Sequence, residues 1–139
     1  MVHALKETHR IVASQGIIID VRPLSVDVPL EIIFQGGRES AGMIDMSPDR
    51  DLDIAADRAI ESVLSEHLYC ELSVDYFDFA YYWKTIKGMK DDLDEYWKGD
   101  VIVSDQLIQQ ARILFNQKRP QTQLRVGVQM KLGKYIKQL

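Results

Sequence analysis

Two charged residues follow an apolar segment near the N-terminus. Three consecutive isoleucines at 17–19 lead to Asp20 and Arg22, and Pro23 lacks the backbone N–H that would continue the predicted strand. In open α/β sheets, ligands bind beyond the carboxyl ends of strands. The sequence therefore predicts that Asp20 and Arg22 contribute to substrate binding. The alternative is a structural role, in which Arg22 pairs with a nearby carboxylate and Asp20 caps a loop.

Aromatic residues form the second candidate group. Tyr81, Tyr82 and Trp83 end an aromatic-rich segment, and planar side chains of this kind can stack on a planar substrate. We predict that these three residues bind substrate together with Asp20 and Arg22. The competing interpretation is core packing or a subunit contact, which the lack of flanking basic residues favours.

Histidine, cysteine and aspartate residues give no complete catalytic or metal-binding pattern. His3, His9 and His67 lack the HxxxH and HxH spacings of metal sites, so we expect structural or surface roles for them. Cys70 has no identifiable histidine base and is expected to be a buried strand residue. The aspartates in the range 45–57 lack the glycine and glutamate of a calcium loop and are interpreted as charges at a helix N-terminus. No catalytic residue and no metal ligand is predicted.

Composition and charge restrict the function classes. The 139 residues, 46% of them hydrophobic, predict a single domain over residues 1–139. The net charge of -4, with both signs interleaved, provides no basic surface for nucleic acid. One cysteine excludes an internal disulfide and agrees with a reducing compartment. Because no signal peptide and no long apolar run is present, we expect a cytoplasmic protein that binds neither nucleic acid nor membranes.

The apolar periodicity predicts four helices and five strands. The first helix ends at Gln15-Gly16, the second begins at Ser47-Pro48, and Thr85 and Ser104 cap the third and fourth. The predicted strands are 17–22, 30–34, 39–46, 70–77 and 123–132, with a hairpin turn at 36–38. Consecutive β-branched residues are typical of strands covered on both faces. The first strand is therefore expected to be buried within a parallel sheet.

The segment from His9 to Asp20 resembles a motif of a known family. HRIVASQG followed by IIID is similar to the "hRvLkpGG" pattern that precedes an apolar strand in class I S-adenosylmethionine-dependent methyltransferases, although Ser-Gln-Gly replaces Pro-Gly-Gly. The element order also resembles the C-terminal half of this family, where a crossover helix precedes two antiparallel strands, here 70–77 and 123–132. The resemblance implies an α/β fold: a partial Rossmann-like methyltransferase half, with a mixed sheet, a C-terminal antiparallel strand pair and about four helices.

The cofactor-binding part of that family has no counterpart in the matched region. Its glycine-rich loop, its acidic residue after the second strand and its polar residues after the third and fourth strands all come earlier in the family's sequence. Gly36-Gly37 does not replace the loop, because it lies in a hairpin rather than between a strand and a helix N-terminus. We therefore expect no cofactor binding by this chain alone, and S-adenosylmethionine binding only if a missing half completes the site.

A parallel strand without neighbours predicts assembly. Within the chain, 30–34, 39–46 or 123–132 could pair with one edge of strand 17–22, and a second copy could pair with the other. We expect a methyltransferase-like protein without a complete cofactor site that assembles as a homodimer and is not catalytic. One alternative is the substrate-side portion of a split or truncated methyltransferase, which would need a complementing cofactor-binding half. Another is a small-molecule binding module that uses Asp20 and Arg22 with the aromatic residues.

Overall fold

The chain contains four helices and five strands. A computed structural model describes residues 1–139. The elements are α1 (Val2–Ile11), β1 (Ile17–Pro23), β2 (Val28–Phe34), β3 (Gly37–Ile44), α2 (Ser47–Ser65), β4 (Tyr69–Trp83), α3 (Ile86–Tyr96), α4 (Asp105–Phe115) and β5 (Gln123–Lys137). None of the helices has the length and apolar character needed to cross a membrane.

The five strands form an antiparallel sheet. They pair in the order β1, β5, β2, β3, and β4 also pairs with β5. β1 lies against the C-terminal part of β5, with Arg22 opposite Lys131, and β2 lies against the N-terminal part, with Leu30 opposite Val126. The predicted α/β class, with about four helices and a C-terminal strand pair, is confirmed. The predicted mixed sheet is wrong, because the strand pairs are antiparallel.

The parallel pairing predicted for the isoleucine strand is also wrong. β1 runs antiparallel to β5, one of the three intrachain partners that the sequence allowed. Its burial alternates: Ile17, Ile19 and Val21 are 53%, 61% and 47% exposed, whereas Ile18 packs against the core. Consecutive apolar residues do not specify the direction of the neighbouring strand, and here they leave one face of β1 uncovered.

The chain folds into two compact units, of which the first consists of Met1–Leu24, Asp51–Phe77 and Gln129–Leu139. Its core contains Ile60, Val63, Tyr69 and Tyr135, against which residues of α1 and β1 pack. The α2 residues reach this core because the buried positions of the helix recur at steps of three and four. The Tyr135 ring lies so close to Gly133 that a Cβ there would come within 2.4 Å of the phenol oxygen.

The second unit consists of Ser25–Arg50 and Asp78–Val128. Leu30 and Ile32 of β2 and Leu124 and Val126 of β5 are fully buried, as is Met89 of α3. The α4 helix packs against β2 and β3. This unit has a core of its own, built on the N-terminal part of β5.

Local sequence signals located most element boundaries. The side chains of Thr85 and Ser104 accept hydrogen bonds from the N–H groups of Gly88 and Leu107, so both predicted caps are confirmed. The hairpin of β2 and β3 and the start of α2 at Ser47 are also confirmed. The end of α1 differs, because the helix stops at Ile11 before reaching the predicted Gln15-Gly16 cap.

The last two strands are longer than predicted. β4 continues through the aromatic segment to Trp83, and β5 continues to Lys137. The apolar residues that alternate along β5 differ in burial. Leu124, Val126 and Val128 are buried, whereas Met130 and Leu132 are only half-buried. The apolar face predicted for this strand is therefore covered in its N-terminal part only.

Candidate functional site

Arg22 is the centre of a polar cluster in the first unit. Its Nε donates to both carboxylate oxygens of Asp20, at 3.1 and 2.9 Å. Its Nη1 donates to the carbonyl and the carboxylate of Asp53, at 3.2 and 3.1 Å, and its Nη2 donates to Asp57 at 2.7 Å. The Nζ of Lys131 donates to the same Asp57 oxygen at 2.9 Å. We call these five residues the Arg22 network.

The network forms because three elements present matching charges. Asp20 and Arg22 are two residues apart on β1 and therefore point to the same face of the sheet. The register places Lys131 of β5 directly opposite Arg22. Asp53 and Asp57 are four residues apart on α2, so their side chains lie on one side of the helix. The network thus joins β1 and β5 to α2.

All three guanidinium nitrogens of Arg22 donate within the chain. The pairing of Arg22 with carboxylates, which the sequence left open as the structural alternative, is confirmed. The sequence did not identify the partners Asp53 and Asp57, although their spacing of four residues is a visible signal for a shared helix face. Both carboxylates accept hydrogen bonds from Arg22, whereas the sequence predicted only that they provide negative charge at a helix N-terminus.

The network shifts the pKa values of its members. Burial acts to raise the pKa of Asp57, but hydrogen bonds from Arg22 and Lys131, together with their charges, lower it below its ordinary value of 3.8. The hydrogen bond to Asp57 raises the pKa of Lys131. Burial acts to lower the pKa of Arg22, and the bonds to Asp57 and Asp20 outweigh this effect and raise it. The ionised forms of these groups are therefore favoured in the folded state.

We expect the folded chain to become less stable in acid because Asp57 is protonated there. Because its pKa is lower in the folded than in the unfolded chain, its contribution is present above pH 3.8 and is lost as the pH falls through the folded-state pKa. Asp57→Asn should cost about 1 kcal/mol at neutral pH, a small value because solvent screens the half-exposed side chain. The variant should also lose less stability than the wild type between about pH 5 and pH 2.

Chemical denaturation at several pH values measures this difference. Asp51→Asn is the matched control, since Asp51 is an exposed aspartate of the same helix. Its unfolding free energy should follow that of the wild type. If the Asp57→Asn and wild-type curves run parallel over the acidic range, Asp57 does not contribute in this way.

The aromatic residues predicted to bind substrate belong to the second unit, whereas Asp20 and Arg22 belong to the first. The Tyr81 ring meets the ring of Trp97 edge-on, with centroids 4.9 Å apart, and stacks on Trp83 at 6.0 Å. Trp83 is buried, and its indole N–H donates to Asp92 at 2.6 Å. Trp83 is therefore packed in the core, as the competing interpretation expected, whereas Tyr81 contacts two aromatic rings but remains 37% exposed.

Tyr82 lies on the other side of β4, as the alternation of a strand requires. Its hydroxyl accepts a hydrogen bond from the Nε of Arg125 at 3.4 Å, and Arg125 also pairs with Glu31. The Tyr82 ring is largely exposed. The three predicted residues therefore do not form one surface.

Cys70 is exposed on β4, so the prediction of a buried cysteine is wrong. It follows Tyr69, which faces the core, and therefore points to the opposite face. The His9 ring meets Tyr69 edge-on at 5.3 Å, and its Nε2 lies 3.3 Å from the carbonyl oxygen of Gln138, which agrees with a structural role. No group of three or more His, Cys, Asp or Glu side chains is arranged to hold a metal ion.

β1 has one open edge. The strand pairs with β5 alone, and just beyond its end the N–H of Leu24 donates to the carbonyl oxygen of Gln129. Even-numbered residues of β1 therefore direct their backbone groups towards β5, and odd-numbered residues direct theirs away from it. The outward N–H and C=O groups belong to Ile17, Ile19 and Val21. They are available to a further strand.

The side chains of Ile17, Ile19 and Val21 point away from α2. They lie on a face of the sheet that we call the outer face of the first unit. Leu72 of β4, three residues after the core residue Tyr69, lies there by alternation and is 52% exposed. On β5, the residues that alternate with the core residue Tyr135 lie on the same face, namely Met130, Leu132, Lys134 and Ile136. Lys134 is its one charged residue. A group of neighbouring exposed apolar side chains is typical of an interaction site.

Comparison of the chain with protein-family models, with curated proteins and with solved structures finds no match. The features from which a function can be inferred are therefore the open edge of β1, the outer face and the Arg22 network.

Proposed function

We propose that this chain is a non-catalytic assembling protein whose order of elements is methyltransferase-like, and that it forms a homodimer by pairing β1 with β1 of a second copy. The observation that carries the proposal is the open edge of β1, whose outward groups have no backbone partner within the chain. An exposed strand edge is a template for another strand.

The edge of β3 offers a contrast. β3 pairs only with β2, through a register that a bulge interrupts at Leu30/Glu31, and its Arg38 and Glu39 are exposed. Charges and bulges are common protection against strand addition. β1 pairs with β5 in an uninterrupted register, and its outward positions are isoleucine and valine. This difference supports β1 rather than β3 as the edge that assembles.

Two β1 strands can pair antiparallel about a two-fold axis. In the register centred on Ile19, Ile17 of one copy lies opposite Val21 of the other, so that all the outward N–H groups find acceptors. Asp20 then lies opposite Ile18 of the second copy, and no like charges face each other. Each apolar cross-strand pair adds roughly 0.2–1 kcal/mol to the backbone hydrogen bonds.

The element order supports the methyltransferase-like part of the proposal. The α2 helix leads into β4, and β4 pairs with β5, in the order of a crossover helix followed by two antiparallel strands. β1 follows α1 and lies beside β5. The proposed dimer would therefore use the strand to which the family motif leads.

Light scattering at micromolar concentration tests the dimer. We expect a species of twice the 16.0 kDa chain mass, with a fraction that rises with concentration. A monodisperse species of 16.0 kDa over the micromolar range would overturn the dimer. Calorimetry with S-adenosylmethionine tests the other part of the proposal, because saturable binding by the chain alone would contradict the absence of a complete cofactor site.

The open edge also favours a second candidate, the substrate-side portion of a split methyltransferase. In that case a strand of a complementing cofactor-binding half, rather than a second copy, would pair with β1. The isolated chain would then be monomeric in light scattering. S-adenosylmethionine binding would appear only after the two halves are mixed, which separates the two candidates.

A further inference from the structure

The outer face is a surface distinct from the edge of β1. Both β1 and β4 pair with β5, which lies between them in the first unit. Strands are about 4.8 Å apart, so the outer two strands are separated by about 10 Å, close to the diameter of one α-helix. The seven residues of β1 extend over about 20 Å, which matches about 14 helical residues. The outer face therefore has the dimensions of a single helix.

Lys134 determines what kind of helix fits. It is exposed on the middle strand, opposite Ile19, and makes no ion pair within the chain. Covering an ammonium group without a partner is costly, so whatever covers the outer face has to provide a carboxylate. A second copy docked face to face cannot do so, because the outer face itself contains none. The charge therefore favours a different partner.

We propose that the outer face binds an amphipathic helix of a partner protein, and that a carboxylate within the apolar stripe of this helix pairs with Lys134. Ile17, Ile19 and Leu72 would pack against leucine-type side chains on both sides of that ion pair. The proposal does not depend on the β1 dimer, because it uses side chains of the face rather than backbone groups of the edge.

Two designed helical peptides of about 14 residues provide the probe. Both have the same leucine stripe, and they differ by glutamate or lysine at its centre. Fluorescence anisotropy should detect saturable binding of the glutamate peptide to the wild-type chain. Lys134→Glu should weaken this binding at least tenfold and should allow the lysine peptide to bind. Lys98→Glu, the same charge change at an exposed lysine of the second unit, is the matched control and should leave binding unchanged.

Alkylation of Cys70 gives an independent measure, because the only cysteine of the chain is exposed on the same face. The bound glutamate peptide should slow its reaction with a thiol reagent. The inference is overturned if neither peptide binds at about 1 mM, if Lys134→Glu leaves binding unchanged, or if Cys70 reacts equally fast with peptide bound. The inference would also be overturned if Cys70 reacts slowly without peptide and faster when the protein is diluted, because a second copy would then cover the outer face.

Light scattering of the same samples separates this inference from the proposed dimer. A monomeric wild type that binds the glutamate peptide would refute the dimer and support the helix site. A dimeric wild type that binds neither peptide would support the dimer and refute the helix site.

Discussion

Ile19→Pro is expected to convert the dimer into a monomer without unfolding the chain. The N–H of Ile19 points away from β5, so proline removes no hydrogen bond within the chain. It does remove the central donor of the β1 pairing, and its ring occupies the edge that the second copy approaches. With two central hydrogen bonds of about 1 kcal/mol each lost, and a steric clash added, the dissociation constant should rise about 100-fold or more.

Sedimentation equilibrium measures the dissociation constant, and circular dichroism checks that the fold is retained. Ile18→Pro is the matched control, because the N–H of Ile18 points towards β5 and its loss should destabilise the first unit itself. Ile19→Thr keeps the outward N–H and should weaken the dimer far less than proline does. A dimer of wild-type affinity in Ile19→Pro would show that the edge is not the interface.

Arg22→Met is expected to be the most destabilising change in the Arg22 network. The substitution keeps most of the apolar stem but removes the guanidinium that pairs with Asp20, Asp53 and Asp57. Removing one partner from a poorly exposed ion pair costs about 3 kcal/mol, and the Arg22 side chain is only 18% exposed. Chemical denaturation at neutral pH measures this loss as the decrease in the free energy of unfolding.

Arg22→Lys is the conservative comparison. Lysine keeps the charge but cannot donate in the planar geometry with which Arg22 reaches three carboxylates, so we expect partial loss of stability. Asp57→Asn should cost less in the Arg22→Met background than in the wild type, because it then removes one of several crowded negative charges. Additive effects of the two substitutions, or a loss below about 0.5 kcal/mol for Arg22→Met, would contradict a coupled network.

Local signals in the sequence predicted the elements well. Thr85 and Ser104 mark helix starts because a hydroxyl at this position satisfies an N–H of the first turn, which depends only on neighbouring residues. The glycines at 36 and 37 mark a hairpin for a similar reason. The aromatic segment up to Trp83 precedes the helix capped by Thr85, as predicted, but it continues β4 beyond the predicted end at residue 77. Aromatic residues favour strands, and this preference was the available signal.

Long-range pairing could not be predicted in the same way. The direction of β1 is determined by β5, more than one hundred positions further along the chain, and three isoleucines pack equally well on a parallel or an antiparallel neighbour. Arg22 meets Asp53 and Asp57 across 31 and 35 positions, a contact that requires α2 to lie in one orientation on the sheet. The sequence therefore indicated the ionic role of Arg22 but not its partners.

Amide hydrogen exchange at Ile17, Ile19 and Val21, followed by nuclear magnetic resonance at increasing protein concentration, tests the central claim most directly. These N–H groups point away from β5 in one chain and donate across the interface in the proposed dimer. We predict protection that rises with concentration at these three residues, while Ile18 is protected at every concentration. Unprotected exchange at all three residues, at concentrations where the protein is dimeric, would contradict assembly through β1.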